Sequence, residues 1–249
     1  ITEVDKDASV TIATSKTQVS AIHNQLGDSV GVCVEPCRRD TFPAIALATA
    51  YLHDVKGVGP DEPVVVCPVD PYVNNDYFEA LKQLSDLAEK GGANLSLMGI
   101  EPTYPSEKYG YIIPESAGSV STFKEKPDAK TAEQYIAQGA LWNGGVFAYR
   151  LGYVLDRAHE LIDFTDHQDL FNKYETLNKI SFDYAVVALK LGLFGQIGLD
   201  AQLKWLNAIG QDAQFGYDVG LEGTIGMKFQ VEVLFISYEK ILWSQPIAN

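Results

Sequence analysis

Apolar runs and amphipathic stretches alternate along the first hundred residues of the chain. The apolar runs have the length and the β-branched composition of strands, at residues 10–14, 30–34, 64–67 and 94–100. The stretches between them have helical spacing, at residues 16–26, 40–52 and 75–90. Because strands that alternate with helices form parallel sheets, this order predicts a doubly wound, mostly parallel, Rossmann-like α/β sheet with helices on both faces.

After residue 100 the predicted elements become shorter and richer in strands. The pattern predicts strands at residues 109–113, 119–124 and 145–149, and helices at residues 130–138 and 153–162. We expect this part of the chain to form a small β-rich lobe on the core sheet. Since no linker or repeat interrupts the pattern, we predict one domain over residues 1–187, continued by residues 188–249, in which 229–238 are again β-rich.

Charge and cysteine content limit the class of protein. The 249 residues include 19 Lys and Arg against 33 Asp and Glu, a formal net charge of −14. Such a chain repels phosphate backbones, so we expect no nucleic-acid partner, although a local basic pocket or a metal ion can hold a small phosphorylated ligand. No apolar run approaches the roughly 18 residues of a membrane span, so we expect no membrane partner. Three cysteines without metal-ligand spacing predict free thiols in a reducing cytoplasm.

Asp70 has a position suited to chemistry. It follows the apolar run at 64–67 and therefore lies near the carboxyl end of a predicted buried strand, where open α/β sheets bind ligands. A carboxylate there can hold Mg²⁺, which bridges phosphate oxygens. Position alone is also consistent with a turn or cap residue. An aspartyl phosphatase is disfavoured, since Pro71 and Tyr72 stand where such a site needs a second acid.

The loop at residues 35–44 links a predicted strand to a predicted helix. It carries Arg38 and Arg39, and the helix amino end that follows favours anions. Asp40 and Thr41 are suited to cap that helix. The residues alone leave two interpretations open, an anion-binding loop and a solvated loop with a good helix cap.

Two later stretches combine polar groups with special backbone. In Glu125-Lys126-Pro127 the lysine can pair with a phosphate while the glutamate accepts hydrogen bonds from hydroxyls. In Trp142-Asn143-Gly144-Gly145 the glycines let the backbone approach a ligand, and the asparagine supplies a donor and an acceptor. The structural alternatives are a solvated surface pair for the first and a tight turn before a strand for the second. No P-loop, nucleophile elbow or dinucleotide fingerprint occurs in the sequence, so no covalent nucleophile is predicted.

Seven stretches in a fixed order carry the strongest signal. They are Glu35-Pro36 through Pro43-Ala44-Ile45-Ala46-Leu47-Ala48, Pro68-Val69-Asp70, Gly99-Ile100-Glu101-Pro102-Thr103-Tyr104-Pro105, Tyr109-Gly110-Tyr111-Ile112, Phe123-Lys124-Glu125-Lys126-Pro127, Leu141-Trp142-Asn143-Gly144-Gly145-Val146-Phe147 and Ser181-Phe182-Asp183-Tyr184-Ala185-Val186. Singly each is weak, but together and in register they are specific. The chain resembles the sugar-1-phosphate nucleotidyltransferases, and among them the bacterial mannose-1-phosphate guanylyltransferases.

The resemblance implies that GTP and mannose 1-phosphate react to give GDP-mannose and pyrophosphate. In that family the sugar phosphate attacks the α-phosphorus directly, so catalysis is mostly positioning and charge neutralisation. By match to the family, Asp70 is a magnesium ligand and Lys126 contacts the sugar phosphate, and these two are the implied catalytic residues. The other implied contacts are Gly110, Glu125, Asn143 and Asp183 to the sugar, and Glu35, Arg39, Asp40, Thr41 and Pro43 to the nucleotide. A homodimer is compatible with the resemblance.

The sequence departs from the family pattern at both ends. The family opens with a Gly-rich loop, an Arg and a Lys that cradle the triphosphate, and because Ile1 begins inside the family pattern we expect that loop upstream. The likeness stops near Val187, where the family supplies a second metal-binding Asp. Asp200 and Asp212 are nearby, but neither stands in a matching place.

Three functional hypotheses follow from the sequence. The first is a guanylyltransferase whose triphosphate loop lies outside the printed chain. The second is a non-catalytic nucleotide-sugar-binding or regulatory protein that kept the sugar pocket. The presence of a Gly-rich loop with Arg and Lys upstream of Ile1 would distinguish the first hypothesis from the second. The third is a nucleotidyltransferase of this fold that uses another base or hexose. The loop at 35–43 favours guanine and mannose over such alternatives.

Overall fold

The computed structural model describes residues 1–114, 120–188 and 231–236. Its strands are β1 (Thr11–Ser15), β2 (Gly31–Glu35), β3 (Pro63–Val66), β4 (Leu95–Ile100), β5 (Tyr111–Pro114), β6 (Val120–Lys124), β7 (Leu141–Arg150) and β8 (Val231–Ile236). Its α-helices are α1 (Val19–Leu26), α2 (Thr41–Ala50), α3 (Asn75–Lys90), α4 (Ala129–Ala137), α5 (Leu151–Leu161) and α6 (His167–Lys173). Shorter helical segments of other types lie at Tyr51–Val55, Tyr174–Thr176 and Asp183–Ala188. The order of strands and helices predicted from the sequence is confirmed through α5, whereas α6 was not predicted.

Helices cover both faces of a six-stranded sheet. The strands follow the order β6-β5-β7-β4-β8, and β3 also pairs with β7. Side chains of β3 alternate between the faces: Val64 and Val66 pack in one core cluster with residues of α2 and α5. Val65 and Cys67 pack in a second cluster with residues of α3 and α4. The predicted α/β class and the helices on both faces are therefore confirmed.

The prediction of a mostly parallel sheet is wrong for the described strands. β7 pairs antiparallel with β3, β4 and β5, and β5 pairs antiparallel with β6. Parallel pairing joins β4 to β8, and β1 to β2 in a separate two-stranded sheet. The cause is the path of β7, which returns from the β-rich part of the chain and inserts between β3 and β4. The β3–α3–β4 crossover therefore brings its two strands into one sheet without pairing them.

A bulge interrupts β7 where it passes β4. Leu97 pairs with Phe147, whereas Gly99 pairs with Asn143, so β7 covers four residue steps where β4 covers two. Gly145 lies in this stretch at a φ of 66°, a conformation that glycine adopts without strain. The tight turn considered for this motif is not present, because the motif lies inside a ten-residue strand. The bulge re-aims the backbone at Asn143.

Other sequence expectations are tested only in part. The β-rich stretch at 229–238 contains β8, whereas Asp200 and Asp212 lie outside the described residues. Cys33, Cys37 and Cys67 are free thiols, as predicted. Within the described residues, no helix combines the length and the apolar character needed to cross a membrane.

Candidate functional site

A cavity of about 280 Å³ lies where β4 ends, β5 begins and β7 bulges. All of the residues implied to contact the sugar or its phosphate line it, namely Gly110, Glu125, Lys126, Asn143 and Asp183. They come from four separate parts of the chain. The remaining lining residues are Ile100, Lys108, Tyr109, Trp142, Gly144 and Gly145.

Gly110 lets the Glu125 carboxylate approach the backbone. A Cβ atom at position 110 would lie 2.7 Å from Glu125 Oε2 and 2.7 Å from Phe123 Cζ, closer than real Cβ atoms come to other atoms. The Gly110 carbonyl accepts a 2.8 Å hydrogen bond from Asn143 N, which ties the start of β5 to the bulge in β7. Because position 110 has no side chain, the Glu125 carboxylate can lie next to the start of β5, where the backbone is also bonded to the bulged strand β7.

Asn143 is held at both ends of its side-chain amide. Its Oδ1 accepts a 3.2 Å hydrogen bond from Gly145 N, and its Nδ2 donates to Asp183 Oδ1. With both ends engaged, the amide has one orientation, and its second N–H and second lone pair are left for a ligand.

Asp183 brings a second carboxyl group to the cavity. Burial, followed by the nearby Glu125 carboxylate, raises the pKa of Asp183 from 3.8 to about 6. The hydrogen bond from Asn143 and the charge of Lys126 oppose this rise. The cavity therefore contains a carboxyl group whose ionisation is disfavoured by burial and by a neighbouring carboxylate, an arrangement typical of functional sites.

Glu125 and Lys126 form an ion pair at the mouth of the cavity. Lys126 Nζ lies 3.2 Å from Glu125 Oε1, and the lysine and glutamate side chains are 62% and 42% exposed. Both groups are therefore accessible to a ligand that exchanges their mutual contact for its own. Lys126 also has a φ of 41°, in the left-handed region that residues other than glycine rarely adopt. Backbone strain of this kind is common at functional sites.

An aromatic wall closes one side of the cavity. Trp142 is buried, and the rings of Tyr104 and Tyr109 pack against it with centroids 5.0 and 4.9 Å away. Tyr104 is itself 53% exposed. These three rings stand in stretches that carry the family resemblance, but the resemblance implies no ligand contact for them. Lys108 was missed entirely, because a single lysine in a loop carries no pattern.

The loop implied to bind the nucleotide is fixed mainly by the protein itself. Asp40 Oδ1 accepts a 2.7 Å hydrogen bond from Thr41 N at the start of α2, and Pro43 is buried in the first turn of that helix. Glu35 Oε1 accepts a 3.1 Å hydrogen bond from Arg39 N. The helix cap considered from the sequence is therefore present, and the exposed atoms of Asp40 and Thr41 are still free to meet a ligand.

A second segment, at residues 174–182, holds this loop in place. Four hydrogen bonds join the two: Tyr174 Oη donates to Glu35 Oε1 at 3.0 Å, Arg39 Nη2 donates to the Glu175 carbonyl, Phe42 N donates to the Ile180 carbonyl at 3.1 Å, and Phe182 N donates to Thr41 Oγ1 at 2.8 Å. Because this segment leads directly into Asp183, the loop and the cavity are structurally joined.

Asp70 is not among the residues that line the cavity. It is exposed, four residues beyond the end of β3. An exposed carboxylate suits Mg²⁺, which is often held by one or two protein carboxylates while phosphates and waters supply its other ligands. Over residues 1–114, 120–188 and 231–236, no three His, Cys, Asp or Glu side chains cluster as a metal site would require. The exposed Asp70 carboxylate fits a metal site of this kind.

A family profile matches most of the chain. The profile is described as nucleotidyl transferase, and it matches residues 6–183. The chain belongs to the nucleotidyl transferase family. The match includes every residue implied by the resemblance to contact substrate or metal.

Curated relatives match about half of the chain. Alginate biosynthesis protein AlgA of Pseudomonas aeruginosa is 33% identical over 138 residues, which cover 51% of this chain and 28% of that protein. Mannose-1-phosphate guanylyltransferase of Klebsiella pneumoniae is 36% identical over 135 residues, which cover 49% of this chain and 27% of that protein. The matched part is thus little more than a quarter of these relatives' length. The resemblance inferred from the sequence is confirmed.

Solved structures share the fold. A Thermus thermophilus protein described as mannose-1-phosphate geranyltransferase aligns with a TM-score of 0.56 at 30% identity, covering 71% of this chain and 54% of that one. A mannose-6-phosphate isomerase from Helicobacter pylori aligns with a TM-score of 0.58 at 22% identity, covering 71% of this chain and 78% of that one. At that lower identity the second likeness is one of fold alone.

Proposed function

We propose that this chain acts as a mannose-1-phosphate guanylyltransferase, making GDP-mannose and pyrophosphate from GTP and mannose 1-phosphate. One observation carries the proposal: five residues implied to hold the sugar phosphate come from four parts of the chain and line one cavity. Membership of the nucleotidyl transferase family and the names of the relatives support the same reaction class.

The cavity is proposed to bind the hexose and its phosphate. The Glu125 and Asp183 carboxylates accept hydrogen bonds from sugar hydroxyls, and the fixed amide of Asn143 supplies a further donor and acceptor. The exposed Lys126 ammonium pairs with the sugar phosphate as a point charge. Charge-assisted hydrogen bonds of this kind fix the position of the phosphate.

The sugar phosphate is the nucleophile in this scheme. One of its oxygens forms the new bond to the α-phosphorus of GTP, the bond from that phosphorus to the β-phosphate oxygen breaks, and pyrophosphate leaves. The protein's task is to hold the two phosphates in line and to reduce their mutual repulsion. No step requires a protein nucleophile. Burial, with a contribution from Glu35, raises the pKa of the Cys33 thiol to about 11, which keeps it unreactive.

The loop at residues 35–43 is proposed to contact the guanine nucleotide. Asp40 is exposed, and one of its carboxylate oxygens caps α2 while the other can accept a hydrogen bond from the base. The resemblance implies that Arg39 contacts the nucleotide, but in the structure its guanidinium donates a hydrogen bond to the Glu175 carbonyl. We therefore assign Arg39 and Glu35 to holding the loop, and the exposed side of Asp40 and Thr41 to the ligand.

Asp70 is proposed as the protein ligand of Mg²⁺. When bound, the ion would neutralise charge on the transferring phosphates. The contribution of this chain is one exposed carboxylate beyond the end of β3. The free thiols support a cytoplasmic location for the enzyme.

The test is pyrophosphate release by the full-length protein, together with any segment that precedes Ile1, when it is supplied with GTP, mannose 1-phosphate and Mg²⁺. Parallel reactions contain ATP in place of GTP, or glucose 1-phosphate in place of mannose 1-phosphate. Release specific to GTP and mannose 1-phosphate is the expected result. Faster release with another pair would change the substrate assignment. If no pair gives release while GDP-mannose still binds, the proposed activity is wrong and the protein is a nucleotide-sugar-binding protein.

A further inference from the structure

The Thr41 hydroxyl is hydrogen-bonded to the backbone of a distant part of the chain. Its Oγ1 accepts a 2.8 Å hydrogen bond from Phe182 N, across 141 residues of sequence. Thr41 is not among the residues that line the sugar cavity. It nevertheless fixes the backbone immediately before Asp183, which does line it.

Phe182 gives this contact a rigid base. Its side chain is fully buried, and its ring lies against Phe147 and Tyr149 of β7, with centroids 4.7 and 6.1 Å away. The hydrogen bond from Phe182 N to Thr41 Oγ1 therefore fixes the backbone between this packed side chain and Asp183. The next residue, Asp183, accepts the hydrogen bond that orients Asn143.

We propose that Thr41 is a positioning residue for the sugar pocket: its hydroxyl fixes the Phe182 backbone and thereby holds the Asp183 carboxyl against Asn143. The inference rests on the proposed function, because it takes this cavity as the mannose 1-phosphate site. Of the four hydrogen bonds between the nucleotide loop and the 174–182 segment, the one accepted by the Thr41 hydroxyl lies next to Asp183 and so acts most directly on the sugar site. Binding of the sugar phosphate depends on it, although Thr41 does not touch the sugar.

Three substitutions separate this role from a general effect on the fold. Thr41→Val keeps the shape of the side chain but removes the acceptor, which leaves the Phe182 N–H unpaired. Thr41→Ser keeps the acceptor. Thr176→Val is the matched control, since the Thr176 hydroxyl lies in the neighbouring 174–182 segment and donates to the Lys173 carbonyl at 2.7 Å.

The experiment is calorimetric titration of each full-length variant with mannose 1-phosphate, and separately with GTP. We expect Thr41→Val to raise the Kd for mannose 1-phosphate roughly 3- to 10-fold, the effect of one lost hydrogen bond. Thr41→Ser and Thr176→Val are expected to bind mannose 1-phosphate as the unmodified chain does. Thr41→Ala serves as a second variant without the acceptor, in case valine disturbs the start of α2.

Several outcomes would overturn the inference. If Thr41→Val and Thr41→Ala change only the affinity for GTP, Thr41 is a nucleotide contact and nothing more. If Thr41→Ser weakens mannose 1-phosphate binding as much as Thr41→Val, the hydroxyl is not the cause. If the unmodified chain binds no mannose 1-phosphate, the proposed function fails and the inference fails with it. If it binds and every variant matches it, the inference alone fails.

Discussion

Replacing Asp183 by asparagine should stabilise the protein at neutral pH. The folded state raises the pKa of this carboxyl from 3.8 to about 6, first through burial and then through the Glu125 carboxylate. Each pKa unit corresponds to about 1.4 kcal/mol, so a fully ionised Asp183 costs the folded state about 3 kcal/mol. Asparagine carries no charge and keeps an oxygen that can accept the hydrogen bond from Asn143.

The sign of the pH dependence follows from the direction of the shift. Because the pKa is higher in the folded than in the unfolded state, the folded state binds the proton more tightly. The stability contributed by Asp183 is therefore fully present below about pH 4 and is lost as the pH rises through about 6. The free energy of unfolding of Asp183→Asn should thus match that of the unmodified chain near pH 4. Above pH 7 it should exceed it by up to about 3 kcal/mol.

Urea denaturation from pH 4 to pH 8 measures this difference. Asp7→Asn is the control, since Asp7 is exposed and its replacement removes the same charge. A surface change of this kind should alter stability by less than about 0.5 kcal/mol. A difference for Asp183→Asn that does not vary with pH would refute the reasoning, as would a loss of stability at pH 7. Stability gained together with loss of mannose 1-phosphate binding would fit a site residue retained for function.

Three further substitutions test other parts of the site. Asp70→Asn should abolish Mg²⁺-dependent pyrophosphate release while leaving the unfolding curve unchanged, and unaltered activity would remove Asp70 from the metal site. Lys126→Ala should weaken mannose 1-phosphate binding by about 1.5–3 kcal/mol in a calorimetric titration; equal affinity would contradict its pairing with the phosphate. Gly110→Ala places a Cβ 2.7 Å from the Phe123 ring and should lower the free energy of unfolding by about 1–3 kcal/mol. Gly59→Ala, whose Cβ meets its nearest neighbour at 3.8 Å, is the control, and equal stability of the two variants would count against the packing argument.

The local features of the fold could be predicted because local chemistry decides them. The apolar run at 64–67 overlaps β3 at all but its last residue, and the order of strands and helices up to α5 follows from the spacing of apolar residues. The position of β7 could not be predicted in this way. Its partners β3 and β4 are chosen by long-range packing. The continuous apolar run at 64–67 reports only that both faces of the sheet are covered, which is true here although β3 pairs antiparallel with β7. A prediction of parallel pairing therefore failed where the chain returns to the sheet.

The residues of the cavity were found through resemblance rather than spacing. The contact between Asn143 and Asp183 spans 40 residues, and that between Thr41 and Phe182 spans 141. No periodicity in the sequence reports such pairs. The capping role of Asp40, by contrast, was evident from residue type and position, because a cap involves only neighbouring residues.

Binding of mannose 1-phosphate in the cavity at the β7 bulge can be observed by NMR of the protein labelled with ¹⁵N-glycine. Gly110, Gly144 and Gly145 line that cavity, whereas Gly91 and Gly152 line a second cavity beside Arg150 at the other end of β7. Titration with mannose 1-phosphate should shift the amide signals of the first three glycines and leave those of the other two in place. Shifts confined to Gly91 and Gly152, or no shift at any of the five, would contradict the assignment.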